Sequence, residues 1–338
     1  MPELVAGTLP LLDVAPYLAG EAGALERLGA ELRWVFENVG FYYLRGHGIP
    51  QPLIDATFAQ AARFHALPME EKLTVEVSAD NVGYLPMKIG QFPDRPPSRN
   101  AAFFLRRERE PHDTLVLAKR RFHGLNQWPA ELPGFRETAL AYMGAMEALC
   151  RRLVPIYATA LDLPPDAFDA AYAEPHLILR LTHYPPLPSD EAASLSLTPH
   201  TDSGFMTLLA PNPVPGLSIL LPDGRWIEAP AVPDAFVVNG GDILHRWTNE
   251  RFLSTPHRVI NRTRSDRYAI PFFCDPNHDT LIECLPSCRS AANPPKYPPI
   301  AFGDYAIWFA RKSYEHLARE AALADAEIAP GPRATMCW

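Results

Sequence analysis

The spacing of apolar residues changes part-way along the chain. Between residues 22 and 39, Leu25, Leu28, Leu32, Val35 and Phe36 recur at three- and four-residue intervals, which predicts an amphipathic helix. Gly40 stands where a helix-ending glycine belongs, and GFYYLRGHGI reads as a short aromatic strand that closes in a glycine turn. A second helix is expected near 51–66. Residues 78–133 are rich in Pro, Asp and Arg and lack a clear period, so they read as long loops around one strand, 100–106. Helical spacing returns over 135–161 through Leu140, Met143, Met146, Leu149, Leu153, Ile156 and Leu161. Pro155 is expected to kink that helix.

From about residue 177 the period falls to two. LILRLTHY, FMTLLA, GLSILL, RWIEA, AFVVNG, STPHRVI and RYAIPFF are short apolar runs bounded by Pro, Gly or Asp-Gly turns. That many strands at close spacing predicts a sandwich or barrel, of which the jelly roll is one solution. Asp304 is expected to cap a closing helix over 305–317. The fold class is therefore mainly β with flanking helices. Three stretches are expected: an N-terminal region of helices and loops (1–130), a long helix with the strand-rich core (131–317), and a peripheral alanine-rich tail (318–338).

Composition sharpens this picture. The 338 residues hold 37 prolines, 18 of them between Pro185 and Pro299, a density that long helices do not tolerate. A hydrophobic content of 47% excludes a disordered chain. The net charge of -8 and the lack of a basic run argue against nucleic-acid or membrane partners. No apolar run reaches the ~18–20 residues of a bilayer span. The start, MPELVAGTLPLL, lacks a secretory pattern, and five cysteines are few and odd in number. A cytoplasmic protein acting on a small molecule, as a monomer or weak homodimer, is expected.

Candidate chemistry lies in the strand-rich half. SLTPHTDSGFMTLL contains His200-x-Asp202, and in an extended chain residues i and i+2 share a face. His257, in LSTPHRVIN, lies in another predicted strand. Two imidazoles and one carboxylate leave several metal positions open, the facial arrangement of non-haem Fe(II) oxygenases. His-x-Asp alone is a common chance pair, so a third element decides the reading. Arg267 shares a strand face with Ala269, Pro271 and Phe273. An arginine on an apolar face is costly unless it meets an anion, and a carboxylate suits its planar fork.

On these residues the sequence resembles the isopenicillin N synthase-like Fe(II)/2-oxoglutarate-dependent oxygenases over roughly residues 8–317. LPLLDVAPYL, GFYYLRGHGIP, LRLTHYPP, PHTDSGFMTLL, GLSIL, FVVNGGDILHRWTNERFLSTPHRVIN and RYAIPFF follow in the family's order. The resemblance implies a double-stranded β-helix (jelly-roll) core, with Fe(II) held by His200, Asp202 and His257. It implies 2-oxoglutarate as co-substrate on Arg267, with contacts from Tyr184, and O2 as oxidant. Hydroxylation or desaturation of a small molecule would release succinate and CO2, with no catalytic residue needed beyond the metal centre.

Two positions depart from the family pattern. Ala269 replaces the usual serine after the arginine, and Thr182 the usual asparagine. Thr182 and Tyr184 share a face and could replace the lost hydroxyl. Phe273 is expected to flank the metal, and Phe103 and Arg106 to contact substrate. A 2-oxoglutarate-independent oxidase, as in the family's namesake, is the alternative, and a non-catalytic binding module a more distant one.

Overall fold

The computed structural model describes residues 2–5, 9–87, 99–186 and 196–318. Period-two segments form two facing sheets. The larger has ten strands, in the order Glu3–Val5, Leu9–Asp13, Phe41–Arg45, Ala235–Gly240, Met206–Leu209, Pro271–Asp275, His176–Tyr184, Ala101–Arg106 and Gly83–Leu85. Its tenth strand, Arg267–Ala269, also pairs with His176–Tyr184. The smaller sheet runs Trp226–Glu228, Leu217–Leu220, His257–Val259, Leu197–His200. This is a jelly roll to which the first 106 residues contribute five strands of the larger sheet.

Side-chain alternation sorts each strand of the larger sheet between two cores. Tyr42, Leu44, Leu177, Leu179, Leu181, Phe236, Val238 and Phe272 face outward and pack on helices Ala24–Asn38, Gln51–Ala66 and Phe135–Ala160. Leu9, Leu11, Phe41, Tyr43, Ala235 and Val237 face inward and meet Leu217 and Ile219 of the smaller sheet. Both cores bury aromatic and branched side chains, each such side chain worth about 1.5–3 kcal/mol. The strands can therefore hold polar groups only where a partner meets them.

The expected helices near 22–39, 51–66 and 135–161 are present, and the last runs on through Pro155 to Ala160. Gly40 has φ +78°, and a Cβ there would lie 2.2 Å from Thr255 Oγ1, so both backbone and space require glycine. Three expectations need correction. The closing helix starts at Phe302, after Ala301, so Asp304 lies in its first turn rather than at the cap; the helix ends at Ser313. The segment RYAIPFF forms two strands separated at Ile270. The 78–133 region holds a second strand, Gly83–Leu85, and a short helix, Thr114–Leu117, whose Leu115 N–H is capped by Asp113. The tail beyond 318 lies outside the described residues. Among the described residues no helix is long and apolar enough to cross a membrane.

Candidate metal centre

His200 ends the strand Leu197–His200 and lies directly across from His257 on the neighbouring strand. Asp202 follows in the turn, not on the strand, so the turn rather than strand alternation brings it to the histidines. Asp202 Oδ1 is 3.9 Å from His200 Nε2 and 3.8 Å from His257 Nε2. One donor atom from each residue lies within 4.8 Å of the others.

The hydrogen bonds behind these atoms fix what they present. The imidazole Nδ1–H of His200 donates to the Thr198 carbonyl at 2.9 Å, and that of His257 to the Thr255 carbonyl at 3.3 Å. Each Nε2 lone pair is thereby left facing Asp202. Thr207 and Asn239 donate to Asp202 Oδ2 at 2.6 and 2.7 Å, which leaves Oδ1 for the histidine side. Burial opposes the charge on Asp202. The fields of His257 and His200, with the Asn239 and Thr207 hydrogen bonds, outweigh it and hold the carboxyl below its usual range. Burial and the adjacent His257 lower His200 to about 4. Two imidazoles and one carboxylate, with orientation already set, form a donor set suited to a divalent first-row metal.

Beside the triad, the inward faces of both sheets line a cavity that includes Tyr184, Arg267, Ala269, Pro271 and Phe273. Arg267 is 3% exposed. Its Nε donates to the Val214 carbonyl at 3.2 Å, and its buried Nη1 has no partner among the described residues. Its guanidinium carbon lies 5.2 Å from the centre of the Tyr184 ring, on the residue directly across the sheet. Burial lowers the arginine from its usual value. An anion entering the cavity would meet a desolvated donor already oriented. Thr182 lies directly across from Ala269; it is fully buried, its Oγ1 has no partner among the described residues, and it does not line the cavity.

Phe273 lines the cavity as its strand parity predicts, while Phe103 and Arg106 do not. Phe103 pairs with Leu181 on the helix-facing side and packs 4.6 Å from Phe64 and 5.4 Å from Phe135. Its neighbour Phe104 pairs instead with Arg180. Arg106 lies at the far end of that strand, where its Nη1 meets His176. His183 pairs with Asp266, and His245 hydrogen-bonds the Phe252 carbonyl, both outside the triad.

Sequence reasoning missed Arg180, which lines the cavity on the face it shares with Thr182 and Tyr184. It donates to Asn100 Oδ1 at 2.8 Å and lies 5.3 Å from the Phe104 ring centre, and its buried Nε has no partner among the described residues. The signal that exposed Arg267, an arginine within an apolar alternating strand, applies equally to LILRLTHY. Asp242 was missed as well. Its backbone N–H donates to the Asp202 carbonyl at 2.8 Å, and its carboxylate accepts from Thr201 at 3.2 Å and from Ser254 at 2.7 Å. It therefore ties the turn that carries Asp202 to the loop that leads into His257.

Two family models match the chain: the 2OG-Fe(II) oxygenase superfamily over residues 175–276, and the N-terminal model of non-haem dioxygenases in morphine synthesis over 9–131. The 2-oxoglutarate-Fe(II) type oxidoreductase hxnY of Emericella nidulans is 35% identical over 318 residues, covering 90% of each chain. The chain belongs to the 2OG-Fe(II) oxygenase superfamily. The 2-oxoglutarate-dependent dioxygenase citB of Monascus ruber is 36% identical over 82% of this chain and 87% of its own. A full-length Neurospora crassa protein, solved in complex with alpha-KG and thymine, superposes with a TM-score of 0.81 at 28% identity, covering 92% of this chain and 97% of that one. This protein is accordingly an Fe(II)- and 2-oxoglutarate-dependent dioxygenase, with O2 as its oxidant. The donor set and the buried, incompletely paired Arg267 fit the metal and the co-substrate of that family.

Proposed function

We propose that His200, Asp202 and His257 hold the Fe(II), and that Arg267, supported by Tyr184, holds the distal carboxylate of 2-oxoglutarate. The oxidised substrate is then a small molecule seated between the triad, Phe273 and Arg180. The observation that carries this reading is the convergence of two oriented Nε2 atoms and Asp202 Oδ1 beside the buried Arg267. When bound, iron with 2-oxoglutarate and O2 supplies the oxidising power, and 2-oxoglutarate leaves as succinate and CO2.

The chain's own task is positioning. Thr198 and Thr255 hold the imidazole orientations; Thr207 and Asn239 hold the carboxylate. Ala269 leaves the serine position without a hydroxyl; Thr182 stands opposite it but is fully buried and does not line the cavity, so Tyr184 is the hydroxyl-bearing neighbour of Arg267 at the co-substrate end. Apolar walls at Leu209, Leu217, Val237 and Val259 limit water around the reacting groups. Whether a substrate C–H bond ends hydroxylated or desaturated depends on its placement against Phe273.

Arg180 gives the substrate class some definition. Its charge faces the cavity without a carboxylate partner among the described residues, so a substrate with an anionic or strongly hydrogen-bond-accepting group suits it. The test is succinate release stimulated by a panel of small organic acids and their neutral amides. Arg180→Met is expected to raise the KM of an accepted acid about tenfold or more, leaving the slow substrate-free conversion of 2-oxoglutarate unchanged. Equal KM values in the two proteins would remove Arg180 from the substrate site.

Asp242 acts on the metal through the loops it joins. Asp242→Ala is expected to weaken Co(II) binding about 10- to 100-fold, as loss of a partner behind the ligands does elsewhere. Circular dichroism should stay that of the folded chain. Wild-type Co(II) affinity in the variant would show that the turn holds its shape without Asp242.

A further inference from the structure

A second cavity, of about 250 Å3, lies at the His176 end of the strand His176–Tyr184 and shares no lining residue with the metal-centre cavity. Its walls carry Arg106, Arg107, Arg109 and Arg120. Three of these have carboxylate partners: Arg107 pairs with Glu147 at 2.9 Å, Arg109 with Asp113 at 2.8 Å and with Glu174, and Arg120 with Asp279. Among the described residues Arg106 has none, although it is 4% exposed. The two acids whose fields reach it hold backbone amides instead: Asp80 accepts from the Phe122 N–H and Asp275 from the Phe205 N–H.

The hydrogen bonds of Arg106 leave part of its fork free. Nε donates to the Asp80 carbonyl at 2.8 Å, and Nη1 donates to His176 Nε2 at 2.5 Å. Among the described residues Nη2 makes no hydrogen bond. The Phe122 ring, 4.3 Å from the guanidinium carbon, contributes a cation–π contact but no acceptor.

The histidines add donors without adding charge. Because His176 Nε2 accepts from Arg106, its proton sits on Nδ1 and is donated to His278 Nε2 at 2.9 Å. Burial and the neighbouring cations keep both imidazoles neutral. His123 stands edge-on to His278, with ring centres 4.4 Å apart. Among the described residues, the inner end of the cavity therefore holds one buried cation, no carboxylate bonded to it, and a fixed relay of neutral imidazoles. An unpaired buried guanidinium is costly, and a bidentate oxyanion is the partner that relieves it.

We propose that this cavity is a second ligand site, which takes the carboxylate or phosphate group of a small molecule against Arg106, with Arg120 at its mouth. Isothermal titration of full-length protein, loaded with Mn(II) and 2-oxoglutarate so that Arg267 is occupied, tests this with benzoate and phenyl phosphate. At least one probe should bind once per chain, and the tighter one identifies the group. Arg106→Met should weaken that binding about tenfold or more. Arg120→Glu, at a half-exposed position, should weaken it as well, and serves if Arg106→Met does not fold. Binding of neither probe would overturn the proposal. So would wild-type affinity in both variants, or loss of binding in Arg180→Met, which would place the probe at the metal centre.

Discussion

His200→Ala is expected to abolish stable metal binding and turnover while the fold persists. His200 closes a strand at the edge of the smaller sheet, and its Nε2 faces the triad rather than the core. Its removal takes away one of three donors and leaves a histidine and a carboxylate that cannot hold a first-row metal tightly. Partners that merely orient ligands are worth about 10- to 100-fold in affinity, so loss of a ligand should exceed 100-fold. Co(II) titration followed by visible absorption reads this directly, and thermal denaturation without metal controls for folding. Succinate formation at the wild-type rate in the variant would refute the ligand assignment.

Arg267→Leu should separate co-substrate binding from stability. Truncating one partner of a buried, hydrogen-bonded charge pair costs about 2–5 kcal/mol, or roughly 30-fold or more in affinity. The KM for 2-oxoglutarate should rise by at least that factor. The protein without ligand should be as stable as wild type or more so, because leucine relieves a buried guanidinium whose Nη1 has no partner. A merely structural arginine would give the opposite pattern: lower Tm and unchanged KM. Thr182→Val should leave the same KM near its wild-type value, since Thr182 does not line the cavity; a clear rise would bring its hydroxyl into the co-substrate site.

Much of this was legible in the sequence because it rests on local periodicity. Arg267, Ala269, Pro271 and Phe273 keep their shared face even though the strand breaks at Ile270, since the alternation survives the break. The helices read from Leu28, Val35, Met146 and Leu153 have the bounds their spacing gave within a few residues. The failures have equally physical causes. Phe103 and Phe104 are adjacent aromatics in an unbroken apolar run, and nothing local says which faces the helices. Their partners Leu181 and Arg180 decide it. Thr207, Asn239 and Asp242 lie within the segments PHTDSGFMTLL and FVVNGGDILHRW, but their hold on Asp202 and its loop shows only once the sheet brings them together. Arg106 was read as a substrate contact, but it lies four residues along its strand from Ala102, which faces Thr182, and thus at the other end of the sheet.

If His200, Asp202 and His257 hold iron beside a 2-oxoglutarate anchored on Arg267, the two ligands must meet in one complex. The most direct measurement is an anaerobic titration of the Fe(II)-loaded protein with 2-oxoglutarate, followed by the weak visible charge-transfer absorption of the chelate. The band should grow to saturation in wild type, need far more 2-oxoglutarate in Arg267→Leu, and be absent in His200→Ala. A wild-type protein that binds iron but gives no band at any 2-oxoglutarate concentration would contradict such a complex.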